Sequence, residues 1–402
     1  MILFQFGGQD IFSSLISFIL LIVFFMFYPR LMIGQIMYKL DRTVTRLEGM
    51  SEKSKKFLIK EMGVKQTKEL KESVDRFYEF FSISPVSLDT VGIIKKLDHM
   101  VREQKDRFDY FVNQTLPKAS SDKKANIEMG FAGGISLYFV AKVVRHYVET
   151  VKKTKNFQIA MLIQMQLPMI EKIAESLEVG TKSLAKGEPI GDSLGPLVAA
   201  DLIGKNKVTE IEEDIVMAKV SYDKRNIFVI KSKGPGGRLG YPGLAVKKIA
   251  AKNKITRFIT VDAAAKMEGE KTGSVAEGTG VAMGGIGVEK SYIEDVAIAN
   301  NIPIDSIIVK MSQEEAIMPM PKNVKNALPK VRESIKRSVA RTKPGDNLLL
   351  VGVGNTSGVG DSGAWVEKVS KWVDAHHKKK AEEKEKNRSW FSFGKKKQPE
   401  EN

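Results

Sequence analysis

Residues 226–230 read NIFVI, 257–261 RFITV, 306–309 SIIV and 347–351 NLLLV. Each is a short run rich in Ile, Val, Leu and Phe, with no polar residue at every second position. A strand wetted on one side alternates polar with apolar, whereas a strand that is apolar throughout is buried on both faces. Between the runs lie segments long enough for a helix. The pattern predicts an α/β domain over 187–375, built on a mostly parallel sheet covered on both sides. Upstream, over 39–186, apolar residues recur at three- and four-residue spacing, as in Val74, Phe77, Phe81 or Ile93, Leu97, Met100, Phe108. That period is helical. Ser84–Pro85, the polar stretch Lys118–Lys124 and Pro168 divide this α-helical region into roughly five helices.

The two ends differ from the middle. Ile11–Pro29 (IFSSLISFILLIVFFMFYP) carries no charge, and at about 1.5 Å rise per residue it nearly spans a hydrocarbon core of about 30 Å. No Lys or Arg precedes it, Asp10 stands where a signal peptide is positive, and no small-x-small site follows. An uncleaved transmembrane helix within residues 1–38 is therefore expected. Arg30, Lys39, Arg42 and Arg46 follow the run while only Asp10 precedes it, so the positive-inside rule makes this a single-pass protein of the cell membrane, its bulk cytoplasmic. A second apolar patch, Met129–Val144, contains Lys142 and two adjacent glycines and reads as a buried helix of the soluble part. The tail, 376–402, is Lys- and Glu-rich and is expected to be disordered. Within it Trp390, Phe391 and Phe393 stand beside Lys395, Lys396 and Lys397, a combination suited to anionic lipid at a bilayer interface. A plain solubilising tail is the alternative.

The chain has 64 Lys plus Arg against 48 Asp plus Glu, a formal +16, with four His and no Cys. Disulfide scaffolds and thiolate-ligated metals are excluded. His99, His146, His376 and His377 all lie outside the α/β stretch, which removes Ser–His–Asp catalysis and a histidine-bound metal from it. No metal or cofactor is expected, and nucleic acid is not an expected partner.

Three glycine clusters flank the predicted strands: Gly234–Gly243 (GPGGRLGYPG), Gly278–Gly287 (GTGVAMGGIG) and Gly352–Gly360 (GVGNTSGVG). None ends in G-K-[ST], and Gly234, Gly236 and Gly240 run G-x-G-x-x-x-G, so none is a recognised phosphate motif. They suit a cleft at the carboxyl edge of the sheet, where open α/β folds bind ligands. Gly234, Gly236, Gly237, Arg238, Gly240, Gly284, Gly285, Gly354 and Asn355 are the candidate ligand-binding loop residues. Two aspartates stand at functional places in such a fold: Asp192, in GDSLGPLVAADLI before a helix, and Asp262, directly after the strand ITV. They are the candidate catalytic pair. The competing structural roles are an N-cap for Asp192 and a loop-bracing hydrogen bond for Asp262.

The segment GDSLGPLVAADLI resembles the T-P-D-A-L-G-P-L-V-V motif of the bacterial spore germination protease family. SKGPGGRLGYPG and ITRFITVDAAAKMEGEKTGSVAEGTGVAMGGIGVEK follow in the same order as that family's loop, its I-D-A-L-A-A strand end and its G-S-G-V-G-N-K turn. NIPIDSIIVK falls where the family has a G-V-P-V-I-A-I-G strand, so the resemblance covers roughly 187–320. The hydrogenase maturation endopeptidases share that phosphorylase/hydrolase-like fold more distantly. The resemblance implies a germination-protease-like α/β domain with an aspartic catalytic pair, carried onto Asp192 and Asp262. The family's opening V-V-G-L-G-N strand is missing before Asp192 and is matched instead by LLLVGVGNTSGVGD at 348–361, which implies a circular permutation. Taken whole, the chain also resembles an archaeal membrane protein family of unknown function, from which no activity follows.

The expectation is a membrane-anchored, cytoplasm-facing peptidase or other hydrolase acting on a peptide or small molecule. The alternative is a non-catalytic ligand- or nucleotide-binding or scaffold protein at the inner membrane surface.

Overall fold

The computed structural model describes residues 8–82, 92–283 and 287–393. Five helices come first: α1 (Gly8–Glu61), α2 (Lys68–Tyr78), α3 (Ile93–Thr115), α4 (Ser121–Thr154) and α5 (Phe157–Lys186). A 3-10 turn at Gly191–Ser193 leads into α6 (Leu194–Ile203). Then follow β1 (Thr209–Glu212), β2 (Ile215–Tyr222), β3 (Arg225–Ser232), α7 (Pro242–Lys252), β4 (Arg257–Ala265), β5 (Val275–Thr279), α8 (Val288–Ala299) and β6 (Ile304–Met311). The short α9 (Gln313–Ile317) and α10 (Lys322–Lys325), then α11 (Leu328–Ala340), β7 (Asn347–Gly352) and α12 (Ala364–Phe393), complete the order.

The chain forms two compact units, Met1–Lys53 with Ser136–Glu175, and Ser54–Ile135 with Ser176–Asn402. This division cuts across the helical region expected over 39–186. In the first unit Ile36, Leu40, Val44 and Leu47 form a buried stripe on α1, Leu137, Ala141, Val144 and Val148 one on α4, and Ala160, Ile163 and Leu167 one on α5. Three- and four-residue spacing puts each set on one helix face. Arg145 pairs with Glu48 at 2.7 Å and Lys152 with Asp41 at 2.7 Å. Pro168 lies inside α5 and does not divide it. Its ring is exposed, so water can take the carbonyl left without an N–H donor. The expected break at Ser84–Pro85 lies outside the described residues.

Along α1, the apolar stretch Ser13–Met26 is solvent-facing: Phe18 is 62% exposed and Phe25 64%. By length and composition, one described helix is suited to crossing a membrane, and it is α4, with 39% of its most apolar window buried. Ser13–Met26 falls in the shorter class.

In the second unit the sheet runs β1-β2-β3-β7-β4-β6-β5. It is mixed rather than mostly parallel. The strands β3, β7, β4 and β6 are parallel neighbours, with Ile227 opposite Leu348, Val261 opposite Gly352 and Thr260 opposite Ser306. Antiparallel partners close both edges, β2 with β1 on one side and β5 on the other. The β2–β3 hairpin turns at Asp223 and Lys224, with φ of 46° and 58°, a two-residue turn of the hand that matches strand twist. The four central strands are the four apolar runs of the sequence, and they bury both faces. Ile227, Val229, Ile259, Val261, Leu348 and Leu350 pack beneath α6, α11 and α12. Phe228, Ile230, Phe258, Leu349 and Val351 pack beneath α7 and α8. Each fully buried Leu, Ile or Val contributes roughly 1.5–3 kcal/mol.

The last strand in sequence, β7, is inserted between β3 and β4. After β3 the chain passes to α7 on one face, and after β7 to α12 on the other. Their carboxyl ends therefore diverge and leave a crevice, the usual ligand position in open α/β sheets. α12 runs as helix to Phe393, into the stretch from 376 where a disordered tail is expected. Val369 and Val373 are buried, Trp372 stacks on His376 at 4.9 Å, and His377 Nε2 lies 3.0 Å from the Met320 carbonyl. The Lys- and Glu-rich residues that follow are strong helix formers and continue what these contacts begin. Lys395, Lys396 and Lys397 lie outside the described residues.

Gly195, at the start of α6, sets how closely that helix approaches the sheet. A Cβ there would lie 2.6 Å from the Val261 carbonyl and closer still to that of Val353. Backbone cannot yield as a flexible side chain does, so Gly195→Ala is expected to cost roughly 2–4 kcal/mol. Thermal unfolding checks this, and a variant with an unchanged midpoint would show that the helix slides freely.

Candidate active site at the carboxyl edge of the sheet

Asp262 is the first residue of β4 beyond the Val261–Gly352 pair, on the face shared with Phe258 and Thr260. Asp192 lies in the 3-10 turn before α6. That turn is fixed from both sides: Gly191 N–H donates to the Met318 carbonyl at 3.1 Å, and the Ser193 hydroxyl donates to the Ser357 carbonyl at 3.0 Å. Asp192 is not an N-cap. Its Oδ2 accepts from the Asn355 N–H at 2.7 Å, across to the loop after β7. Asp262 Oδ1 accepts from the next N–H, Ala263, at 2.6 Å, while Oδ2 is buried without a hydrogen-bond partner.

Both aspartates line one cavity of about 460 Å³, with Ser232, Gly352, Val353 and Gly354 from the ends of β3 and β7. Burial pushes the Asp262 carboxyl up to about 8, and the Asp192 charge adds to the rise. Burial also pushes Asp192 upward, against the pull of the Asn355 N–H. Each carboxyl accepts one backbone N–H, but it is the Asp192 charge that raises Asp262, so Asp192 is the one that ionises first. Asp262 then holds its proton beside the charged Asp192.

Two further acids in this cavity escape sequence reasoning. Glu289, in the first turn of α8, accepts from the Gly243 N–H at 2.6 Å and is pushed up to about 7, chiefly by burial. Asp98, on α3, accepts from Arg102 Nε at 3.0 Å and from the Tyr292 hydroxyl at 2.9 Å. Glu289 follows the second glycine cluster at a helix start, a signal available in the sequence. Asp98 is brought in from far upstream, and nothing local marks it.

The expected ligand-binding loops separate into several roles. Gly354 and Gly240 line the smaller cavity, and Gly240, Gly237 and Arg238 line a larger one of about 600 Å³. Leu239, Gly240 and Tyr241 border both. Gly234 packs on the Val359 carbonyl, and Gly236 lies beside Asp122. The N–H groups of Gly234, Gly237 and Arg238 are occupied by Asp361 (2.9 Å), Asn126 (2.8 Å) and Thr356 (3.1 Å). These three N–H groups therefore clasp neighbouring segments and are not directed at an oxyanion. The Arg238 guanidinium is also committed, to Asp122 at 2.8 Å and Asp214 at 3.2 Å. Asn355 acts through its backbone N–H on Asp192. Gly284 and Gly285 lie outside the described residues. Among the described residues no group of three or more acids or histidines is arranged to hold a metal ion.

Residues 14–187 match the family model described as "Protein of unknown function (DUF1512) N-terminal domain", and residues 190–360 that described as "Domain of unknown function (DUF1512) C-terminal". The chain belongs to the DUF1512 family. The two matched stretches meet between Gly187 and Ile190, just before the turn that carries Asp192, and the C-terminal stretch holds both aspartates and β7. No curated protein and no solved structure matches the chain.

Proposed function

We propose that this protein is a membrane-anchored hydrolase acting on amide-type bonds with Asp192 as base and Asp262 as acid. The observation that carries the reading is two buried carboxyls in one cavity, with the proton retained on Asp262 to about pH 8. Asp192 takes a proton from water as its oxygen bonds to the substrate carbonyl carbon. Asp262 gives its proton to the carbonyl oxygen, so no charge builds up there. When the tetrahedral adduct collapses, the C–N bond breaks, the leaving nitrogen takes the proton from Asp192, and the former carbonyl oxygen returns its proton to Asp262. The resemblance of GDSLGPLVAADLI and the Asp262 strand end to the germination protease family supports this assignment, as does the placement of β7 beside β3 and β4.

The test is incubation of the full chain with peptides from membrane extracts, read by mass spectrometry, beside Asp192→Asn and Asp262→Asn. Each change should lower turnover by about 10²–10⁴-fold. Full activity in both variants would refute the dyad. Wild-type protein that cleaves nothing yet retains a ligand in the cavity would favour a binding protein.

Ile11–Pro29 supplies the anchor in this reading, with residues 30–402 in the cytoplasm and the C-terminal helix near anionic lipid. Because the chain has no cysteine, single-cysteine variants report topology directly. In intact cells an impermeant maleimide should label Gln5→Cys and leave Lys155→Cys untouched. Labelling of Lys155→Cys would reverse the orientation.

A further inference from the structure

Among the described residues the smaller cavity is lined by four acids, Asp98, Asp192, Asp262 and Glu289, and by no lysine, arginine or histidine. The larger cavity is different in kind. Its lining mixes Lys105, Lys124 and Arg238 with acids, and Lys105 reaches Asp109 at 2.9 Å and Glu213 at 2.6 Å. An excess of acid without base thus belongs to the smaller cavity alone of the two.

Protein donors already serve Asp98, Glu289 and Asp192. Asp262 is served on one oxygen only: its Oδ1 accepts from the Ala263 N–H, but the side chain is 4% exposed, lines the cavity, and its Oδ2 has no hydrogen-bond partner. A buried polar atom left unpaired is unfavourable, and a bound molecule presenting a polar group there removes that penalty. A ligand is therefore called for, and the charge of the remaining wall selects its kind. Arg102 offsets Asp98 at 3.0 Å and Asp262 keeps its proton, so Asp192 and Glu289 set the charge of the wall: a cation gains from both and an anion is repelled.

We infer that the cavity takes substrates bearing a positive group, an ammonium, guanidinium or amidinium, next to the bond that Asp192 and Asp262 act on. This rests on the hydrolase reading only for the word substrate; the cation preference is a property of the cavity. Glu289 on the helical wall receives the cation, which leaves Asp262 Oδ2 for the substrate carbonyl. The cation takes over from the proton on Glu289, so binding near neutral pH releases protons.

The experiment is calorimetric titration of the full-length protein in detergent with benzamidine, its neutral isostere benzamide, and benzoate. Benzamidine should bind at least about tenfold more tightly than benzamide, more weakly as salt rises, with proton release visible as a heat that depends on the buffer. Benzoate should not bind. Glu289→Gln, which retains an acceptor for the Gly243 N–H, should bring benzamidine down to the benzamide level. Equal binding of benzamide, tighter binding of benzoate, or an undiminished preference in Glu289→Gln would overturn the inference. The three-probe comparison on the wild type is sufficient should that variant fail to fold. Benzamidine preference without cleavage of any peptide would remove the hydrolase and leave the cation site standing. Cleavage of neutral peptides with no preference among the probes would do the reverse.

Discussion

Asp262→Asn is expected to abolish turnover and, at the same time, to make the protein more stable at pH 8. The two effects have one cause. In the folded protein burial and the Asp192 charge hold the Asp262 proton up to about pH 8, whereas in the unfolded chain a carboxyl releases it near pH 4. Between these values the unfolded state has lost a proton that the folded state keeps, so stability falls as pH rises from about 4 to about 8. Below pH 4 both states are protonated and the penalty vanishes. Asparagine resembles the protonated acid and never meets this penalty. The variant should therefore match the wild type near pH 4 and exceed it by on the order of a few kcal/mol at pH 8. Some slope will remain, because burial also raises Glu289 to about 7 and Glu128 to about 8, with the same sign. Thermal melts between pH 4 and 8.5 check the stability arm, and peptide turnover the other. A variant that melts earlier at pH 8 would mean that Asp262 braces its loop as a carboxylate.

This opposition of activity and stability also bears on what a sequence can reveal. Residues that stabilise tend to announce themselves through local pattern. The strands β3, β4, β6 and β7 were legible because a strand buried on both faces has no room for polar residues. β1 (TEIE) and β5 (VAEGT) were not, since edge strands with exposed side chains carry no apolar run. The β2–β3 turn was hidden for a related reason: Asp223 and Lys224 adopt positive φ without the Asn-Gly or Gly that normally signals it. The α12 extension was hidden because its charge pattern reads equally as solvated tail and as surface helix. Asp192 and Asp262 could be singled out because each stands at the end of a regular element and in a motif resembling a protease family. Their meeting could not be read locally. It depends on β7 entering the sheet between β3 and β4, and on α6 closing down over Gly195. Asp98 marks the limit: a solvated-looking carboxylate on an amphipathic helix becomes part of the cavity only through the tertiary fold.

Lys231→Met is expected to unfold the cavity edge first. Lys231, the next-to-last residue of β3, is fully buried, and its ammonium donates to the Ser232 carbonyl at 2.7 Å and to the Asp361 carboxylate. Asp361 Oδ1 also accepts from the Gly234 N–H at 2.9 Å. One side chain thus ties the segment after β3 to the segment after β7, the two that diverge around the crevice. Burial lowers the Lys231 pKa against the pull of Asp361. Removing the ammonium leaves Asp361 mostly enclosed with a single N–H donor, and breaking such a pair costs about 3–5 kcal/mol. A well-packed apolar replacement of both partners is commonly close to neutral, so Lys231→Met with Asp361→Leu should recover much of the loss. The double-mutant cycle measures the coupling directly. Turnover provides a second readout, because the Asn355 N–H that orients Asp192 is six residues before Asp361 in the same loop. The single variant should lose activity well below its melting temperature. A cost under about 1 kcal/mol, with activity intact, would mean that the glycine-rich segments hold their geometry through backbone contacts alone.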